Sequence, residues 1–185
     1  LTGLALEALP QSGSQRAAPL TDCWYGLGTV ERGMTAGVHW ASDGSQLFGS
    51  IDLPESAEGP PLEAMSLQAY GAIFQTLQET GMRSMLRVWN YVPRINGEAD
   101  GMERYRRFNL GRQRAFMQAG WSAFEGAPAA SAVGSHGDAP LQIRFLASRP
   151  VPLAVENPRQ VPAYHYPAIY GAASPTFSRA ALVAD

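Results

Sequence analysis

The sequence contains no lysine. All 14 of its basic residues are arginines, and they stand against 16 acidic residues for a formal net charge of −2. Because this balance gives no strongly basic surface, the composition does not indicate nucleic-acid binding. No apolar run approaches the roughly 18 residues that a membrane-spanning helix needs, so no membrane association is predicted. No secretory signal is recognisable, although the chain begins with Leu1.

Residues for disulfide, metal or covalent chemistry are also scarce. Cys23 is the only cysteine, which excludes an internal disulfide and is compatible with a reducing cytoplasm. No histidine lies near Cys23 in the sequence, so a buried structural thiol is favoured over a nucleophile. The histidines His39, His136 and His165 are scattered, and no His, Cys, Asp and Glu cluster has the spacing of metal ligands. The sequence therefore predicts neither a metal nor a cofactor.

The elements that are present predict an α+β fold. A length of 185 residues is enough for one domain with a proper core. Strand-like runs, a helix, a strand, a second helix and two more strands follow one another; the main ones are expected at 46–53, 61–80, 84–92, 102–119, 127–133 and 141–147. This order predicts one mixed sheet with two helices packed on one face.

The two ends of the chain have a different composition. Residues 1–20 are expected to form a flexible N-terminal segment, in which a short apolar piece, 1–9, precedes a polar loop at 11–19. From residue 148 to 185 prolines recur every few positions, with tyrosines between them. Proline at that frequency forbids a helix or a central strand, so we predict an extended segment that wraps the surface or reaches toward a partner.

Eight of the 14 arginines lie between Arg83 and Arg114. The spacing of the second helix stacks Met102, Tyr105, Asn109, Arg112 and Phe116 on one face. An amide and a guanidinium in an apolar stripe are costly to bury without partners, so they are either satisfied inside the protein or wait for a ligand.

Strand alternation places Arg87 on one face with Met85, Trp89 and Tyr91, and Asn90 on the other. A guanidinium matches a carboxylate through two hydrogen bonds, and aromatic neighbours suit a planar or ring-shaped acid. The competing interpretation is that each arginine pairs with an Asp or Glu of the protein itself.

Several longer phrases resemble one family. These are RVWNYVPRIN, ERYRRFNLGRQRAF, PAASAVGS, VENPRQVPAYHYP and SPTFSRA, and together they are similar to the chorismatases over about Trp24 to Arg179. The resemblance implies hydrolysis of chorismate to pyruvate and either a dihydroxycyclohexadiene acid or a 3- or 4-hydroxybenzoate. It also implies two consecutive halves of the RidA (YjgF-like) fold, of which residues 21–147 resemble the first half and 148–185 lead toward the second.

The same resemblance implies where the chemistry lies. A positioned carboxylic acid protonates the substrate while arginines hold its carboxylates. The family's catalytic Glu and a nearby Cys belong to the second half, and none of Glu7, Glu156 and Cys23 occupies those motifs. No catalytic residue is therefore assigned. The candidates for substrate binding are Arg87, Asn90, Arg112 and Tyr164, with Arg94 and Arg159 as weaker alternatives.

Two hypotheses follow for the chain as a whole. In the first, it is the N-terminal half of a cytoplasmic chorismatase, inactive by itself and completed by a C-terminal catalytic half. In the second, it is a free-standing binding or assembly module that kept the fold without the chemistry. A homo-oligomer, such as a trimer, is expected under the second hypothesis.

Overall fold

The computed structural model of the protein describes residues 3–5, 23–26, 28–56, 58–99, 101–167 and 175–183. The helices within these ranges are α1 (Leu62–Thr80) and α2 (Arg104–Gln118). The strands are β1 (Gly3–Ala5), β2 (Cys23–Tyr25), β3 (Glu31–Thr35), β4 (Val38–Ser42), β5 (Gln46–Leu53), β6 (Ser84–Pro93), β7 (Glu98–Ala99), β8 (Met102–Glu103), β9 (Ala129–Ser135), β10 (Leu141–Ser148), β11 (Leu153–Val155) and β12 (Ala180–Leu182). None of the described helices is both long and apolar enough to cross a membrane.

Six strands form one mixed sheet in the order β3-β4-β5-β10-β6-β9. Neighbouring strands are antiparallel except for β6 and β9, which are parallel and are connected through α2. Both helices pack on the same face, where their apolar side chains share one core with those of the strands. The predicted fold class, a mixed sheet with two helices on one face, is confirmed.

The first helix forms where its sequence pattern predicts it. Leu62, Met65, Ala69, Ile73 and Leu77 recur at helical spacing, and all five are buried. Pro61 stands immediately before the helix, where its missing N–H is not needed. Gly81 ends it in the left-handed conformation, with φ of 70°, which glycine adopts without steric cost.

The second helix begins later than predicted. Met102 and Glu103 pair with Glu98 and Ala99 as a short two-stranded ribbon, so Met102 does not join the helix face. The rest of the predicted stripe holds, since Asn109, Arg112 and Phe116 are buried. The ribbon gives backbone N–H and C=O groups of Met102 and Glu103 hydrogen-bond partners outside the helix, which explains why the helix begins later.

The predicted alternation along β6 is wrong at one position. Between Leu146 and Ala147 the pairing of β10 with β6 shifts register, so Met85 pairs with Ala147 and joins the buried core. A bulge adds one residue and turns the side chains beyond it to the other face. Arg87 and Asn90 lie on the same side of this bulge, so their predicted separation between the two faces is unaffected.

The terminal segments contain little regular structure. Gly3–Ala5 pairs with Cys23–Tyr25, and the remainder of the predicted flexible segment, 1–2 and 6–20, lies outside the described residues. In the proline-rich extension, β11 pairs with β12, and Ala163–His165 forms a single 3-10 turn. The proline pattern therefore permits short strands and one tight turn but no helix among the described residues of the extension.

The closest approach of the two helices predicts a specific sensitivity to side-chain size. Gly111 on α2 lies against the backbone of α1, where a Cβ would overlap the Glu63 carbonyl oxygen. Gly111→Ala should therefore cost about 1–3 kcal/mol of unfolding free energy, as overpacking does. Gly71→Ala is the matched control, because no atom lies within 4 Å of its added methyl group. The control should gain about 0.5–1 kcal/mol from helix propensity. Urea unfolding measures both, and equal effects would contradict the packing argument.

Candidate functional site

Five arginines have acidic partners within the protein. Arg94 and Arg104 both pair with Glu55, Arg106 pairs with Glu103, Arg114 with Glu63 and Arg144 with Asp52. For these residues the interpretation as internal ion pairs holds. Arg94, a weaker binding candidate, is among them, and Arg159, the other one, is exposed.

Arg112 is different, because no described carboxylate pairs with it. Its side chain is only 2% exposed, yet Nε and Nη2 have no hydrogen-bond partner among the described residues. The guanidinium carbon lies 5.1 Å from the centre of the Tyr70 ring and 5.5 Å from that of Phe116. The faces of these rings attract a cation, which partly offsets the cost of burying the charge.

Asn90 connects to Arg112 through Tyr70. The Tyr70 hydroxyl donates to Asn90 Oδ1 at 2.6 Å, and Asn90 Nδ2 donates to the Ser131 carbonyl at 2.9 Å. Burial raises the pKa of Tyr70 to about 12, whereas the Arg112 charge and the Asn90 hydrogen bond act to lower it. The structure thus brings Asn90 and Arg112 together on the helix side of the sheet. Both the oxygen and the nitrogen of the Asn90 side-chain amide form hydrogen bonds within the protein.

Arg87 lies on the opposite face of the sheet. Its guanidinium carbon is 5.6 Å from the centre of the Trp89 ring, and Trp24 of β2 contacts Trp89 at a centroid distance of 6.3 Å. Arg87 is half-buried and forms no ion pair with a described residue. A guanidinium that lies over one aromatic ring and has no carboxylate partner is suited to an external acid.

Tyr164 lies in the 3-10 turn and stacks edge-on against His165, with ring centres 4.7 Å apart. Partial burial raises the pKa of its hydroxyl, and the charges of Glu156 and Glu125 act in the same direction. Two nearby carboxylates make this position less favourable for an anion than Arg87 is. Tyr164 is suited to donating a hydrogen bond.

A group of polar side chains near the end of the chain was not assigned from the sequence. We call it the edge cluster; its members are Glu156, Thr176, Ser178 and Arg179. Each has a buried oxygen or nitrogen without a hydrogen-bond partner among the described residues. Arg179 Nη2 donates to the Tyr166 hydroxyl at 3.0 Å, but its Nε is unpartnered. Buried polar groups are nearly always hydrogen-bonded, so these four side chains have unused hydrogen-bonding capacity toward described residues.

The backbone brings the edge cluster close to Arg87. The Ser178 amide donates to the Pro128 carbonyl at 3.0 Å, and Ser178 forms a parallel bridge with Ala129. Ala129 in turn pairs with Arg87 across β9 and β6. Ser178 of the edge cluster therefore lies two strands away from Arg87, and we take Arg87 and the edge cluster together as the candidate site. Asn90 and Arg112 lie on the other side of the sheet. The phrase SPTFSRA carried this signal, but sequence alone did not show which of its side chains would be buried without partners.

Two observations bear on thiol and metal chemistry. Cys23 is exposed on β2, so the expectation of a buried thiol is wrong. In the part of the chain that the structure describes, no group of three or more His, Cys, Asp and Glu side chains is placed to hold a metal ion.

The fold and the site can be compared with known proteins. A crystal structure of a chorismatase superposes on this chain with a TM-score of 0.78 and 32% sequence identity, over 90% of this chain and 49% of that one. The class of protein that this fold defines is therefore a chorismatase-like α+β domain. The family model described as "Chorismatase FkbO/Hyg5-like, N-terminal" matches residues 22–147. The chain belongs to this chorismatase family.

Curated relatives agree with that assignment. A 3-hydroxybenzoate synthase from Streptomyces hygroscopicus is 40% identical over 166 residues, which is 89% of this chain and 47% of the relative. A chorismatase from the same organism is 38% identical over 162 residues, covering 86% of this chain and 46% of the relative. The chain spans about half the length of the curated relatives that it matches.

The network around Tyr70 predicts a specific pH dependence. The folded-state pKa is about 12 and the ordinary value is 10.0, so the unfolded chain loses its proton first as the pH rises. The stability linked to Tyr70 is fully present below pH 10 and is lost between pH 10 and about 12. Tyr70→Phe should lose about 1–3 kcal/mol at pH 7, because Asn90 Oδ1 loses its donor, and should show a shallower decline above pH 10.

Urea unfolding at pH 7, 10 and 11 measures this dependence. Tyr25→Phe is the matched control, because Tyr25 is 62% exposed and should affect neither the stability at pH 7 nor the alkaline slope. An alkaline slope that is the same for Tyr70→Phe and the unmodified chain would show that Tyr70 is not the titrating group.

Proposed function

We propose that this chain is the N-terminal half of an enzyme that converts chorismate to pyruvate and a dihydroxycyclohexadiene carboxylate or a 3- or 4-hydroxybenzoate. The observation that carries the proposal is the 40% identity to a 3-hydroxybenzoate synthase across 89% of this chain. In this proposal residues 21–147 are the domain itself and residues 148–185 lead to a C-terminal catalytic half. The compartment is the cytoplasm, and no cofactor takes part.

The contribution of this half to the chemistry is to hold the substrate. Chorismate carries two carboxylates, and each needs a positive, hydrogen-bonding partner in a partly dry site. Arg87 and Arg179 suit this role, because each has a guanidinium beside an aromatic ring, Trp89 and Phe177 respectively, and neither is neutralised by a described carboxylate. Asn90, Arg112 and Tyr164 remain further candidates. The buried position of Arg112 favours a structural role for it, and the carboxylates near Tyr164 favour contact with a substrate hydroxyl.

The proton that breaks the enol ether comes from the other half. General-acid catalysis needs a carboxylic acid within hydrogen-bond reach of the reacting carbon or oxygen. Glu156 is the one acid in the edge cluster, and the catalytic motifs of the family do not include its position. We therefore assign it to orienting a hydroxyl of the substrate rather than to catalysis.

Pyruvate release tests the proposed reaction. The longest natural chain that begins with this sequence should release pyruvate from chorismate, and the 185-residue chain should release none, because it lacks the acid. Coupling to lactate dehydrogenase and loss of the reduced nicotinamide absorbance measure the product directly. A natural chain of only 185 residues that binds chorismate without turnover would favour the alternative function, a non-catalytic RidA-like binding or oligomerisation module.

The assignment of arginines makes a separate prediction. Arg87→Ala and Arg179→Ala should each weaken chorismate binding by roughly 1–3 kcal/mol, or about 5- to 150-fold, because a charged hydrogen-bonding pair is lost. Arg83→Ala is the matched control, since Arg83 is exposed and has no role in the site. Isothermal titration calorimetry with chorismate gives the affinities.

The same titration, together with urea unfolding, distinguishes a structural role of Arg112 from a substrate-binding role. Arg112→Ala should lower the unfolding free energy by about 2 kcal/mol or more, since the rings of Tyr70 and Phe116 lose a buried neighbour. A stable Arg112→Ala protein with weakened chorismate binding would instead place Arg112 in contact with the substrate. Unchanged affinity in both Arg87→Ala and Arg179→Ala would remove those two from the site.

A further inference from the structure

A groove of about 480 Å³ lies at the end of the sheet opposite the candidate site. We call it the β3–β4 groove. The residues of its lining that matter here are Glu31, Thr35, Trp40, Glu79 and Arg149. In the strand order β3 and β4 stand at one end, and β9, which borders the edge cluster, stands at the other. The volume falls within the roughly 300–1,000 Å³ that small-molecule sites span.

The strand register places the floor of this groove on the helix side of the sheet. Trp40 lies two positions after the buried core residue Val38 on β4, so the two share a face. Across the strand pair Thr35 lies opposite Val38, and Glu31 lies opposite Ser42. The β3–β4 hairpin therefore forms the floor, and the last turn of α1 forms a wall.

The ring of Trp40 and the carboxylate of Glu79 are held by contacts within the protein. Trp40 Nε1 donates to Thr35 Oγ1 at 3.4 Å, and the Thr35 hydroxyl donates to Glu79 Oε2 at 3.2 Å. Gln75 Nε2 donates to the other oxygen, Glu79 Oε1, at 2.9 Å. Gly33 leaves space for the Trp40 ring, because a Cβ there would lie 2.4 Å from it. Both oxygens of Glu79 thus accept from neutral donors, and no described cation pairs with this carboxylate.

The electrostatics of the groove favour a cation. Glu79 lies in the last turn of α1, and that turn contains no basic residue. The helix dipole places partial negative charge at this end, where a cation is stabilising and a carboxylate is not. Glu31 and Asp43 add two more acidic side chains to the lining. Among the described lining residues Arg149 is the only cation, so acids outnumber bases around an aromatic ring.

We propose that the β3–β4 groove binds an organic ammonium ion that carries hydroxyl groups, such as an amino sugar or an amino alcohol. The ammonium group lies between the Trp40 ring, whose face attracts cations, and the Glu79 carboxylate, which accepts its hydrogen bonds. The ligand's hydroxyl groups meet the hydroxyls of Thr35 and Thr80, which also lines the groove.

An organic cation suits the groove better than a metal ion does. In the described part of the chain, no group of three or more His, Cys, Asp and Glu side chains is placed to hold a metal. An ammonium group needs fewer acidic ligands, and the aromatic ring supplies part of its binding. The site is separate from the proposed reaction, because Arg87 and the edge cluster lie toward the other end of the sheet.

Titration with glucosamine, held in its protonated form by the buffer, tests the proposal on the 185-residue chain. In ¹H–¹⁵N NMR spectra the indole N–H resonance of Trp40 should shift, whereas that of Trp89 should not. The spectrum of Trp40→Phe identifies the Trp40 resonance. Glucose is the matched neutral probe, since it has the hydroxyl groups without the charge. It should bind at least about 5-fold more weakly than glucosamine.

Three variants test the direction of the charge effect. Glu79→Gln should weaken glucosamine binding about 3- to 10-fold, because the ammonium loses its charged acceptor. Arg149→Gln should strengthen it, because a like charge is removed from the lining. Glu58→Gln is the matched control and should change nothing, since Glu58 is exposed in the loop before α1, outside the groove. A dispersed NMR spectrum verifies that each variant is folded.

Each contrary outcome overturns a stated part of the proposal. Equal binding of glucose and glucosamine would overturn the ammonium ligand. An equal shift of the Trp40 resonance with sodium chloride at the same concentration would overturn an organic ligand. Weaker glucosamine binding by Arg149→Gln would show that the groove does not select a cation. None of these results bears on pyruvate release, so the groove and the proposed reaction stand or fail separately.

Discussion

Tyr70 joins the two layers of this domain. Its buried ring contacts Phe74, Phe108 and Phe116, and its hydroxyl crosses to Asn90 on strand β6. A phenol that is fully buried must find an acceptor, so the height and rotation of α1 over the sheet are constrained by this one bond. Asn90 then extends the constraint to β9 through the Ser131 carbonyl. The parallel pair β6 and β9, which carries the candidate site, is thus held from the helix side.

The alternation of side chains along β6 places a structural residue on one face of the sheet and a candidate binding residue on the other. Asn90 faces the helices and belongs to a closed network with Tyr70 and Arg112. Arg87, three residues earlier, faces the other way and meets aromatic rings rather than acids. A single strand therefore supplies an anchor on one side and a free cation on the other. The four residues first proposed for substrate binding do not converge, because period-two geometry forbids Arg87 and Asn90 from sharing a face.

The sequence predicted the elements well where local physics decides them. The limits of α1 follow from Pro61, Gly81 and an apolar period of 3.6, all of which act within one helix. The later start of α2 and the bulge beside Met85 were missed for the opposite reason. Both depend on pairing with another segment, which is Glu98–Ala99 for α2 and β10 for the bulge. No local sequence pattern predicts that pairing. Exposure of Cys23 was missed likewise, because it depends on where β2 lies against the sheet.

The sequence by itself determined the fold class, the two-helix layer and the family, because periodicity, turn residues and long shared phrases are written along the chain. It also marked the arginines as the residues to explain. Only the tertiary structure decided which of them remain available, since a guanidinium is neutralised by whatever carboxylate lies near it in space. Glu55 forms ion pairs with Arg94 and Arg104, which lie 39 and 49 positions away in the sequence, whereas no described acid pairs with Arg87 or Arg112. Distance in space, which sequence spacing does not encode, separates an internal ion pair from a binding site.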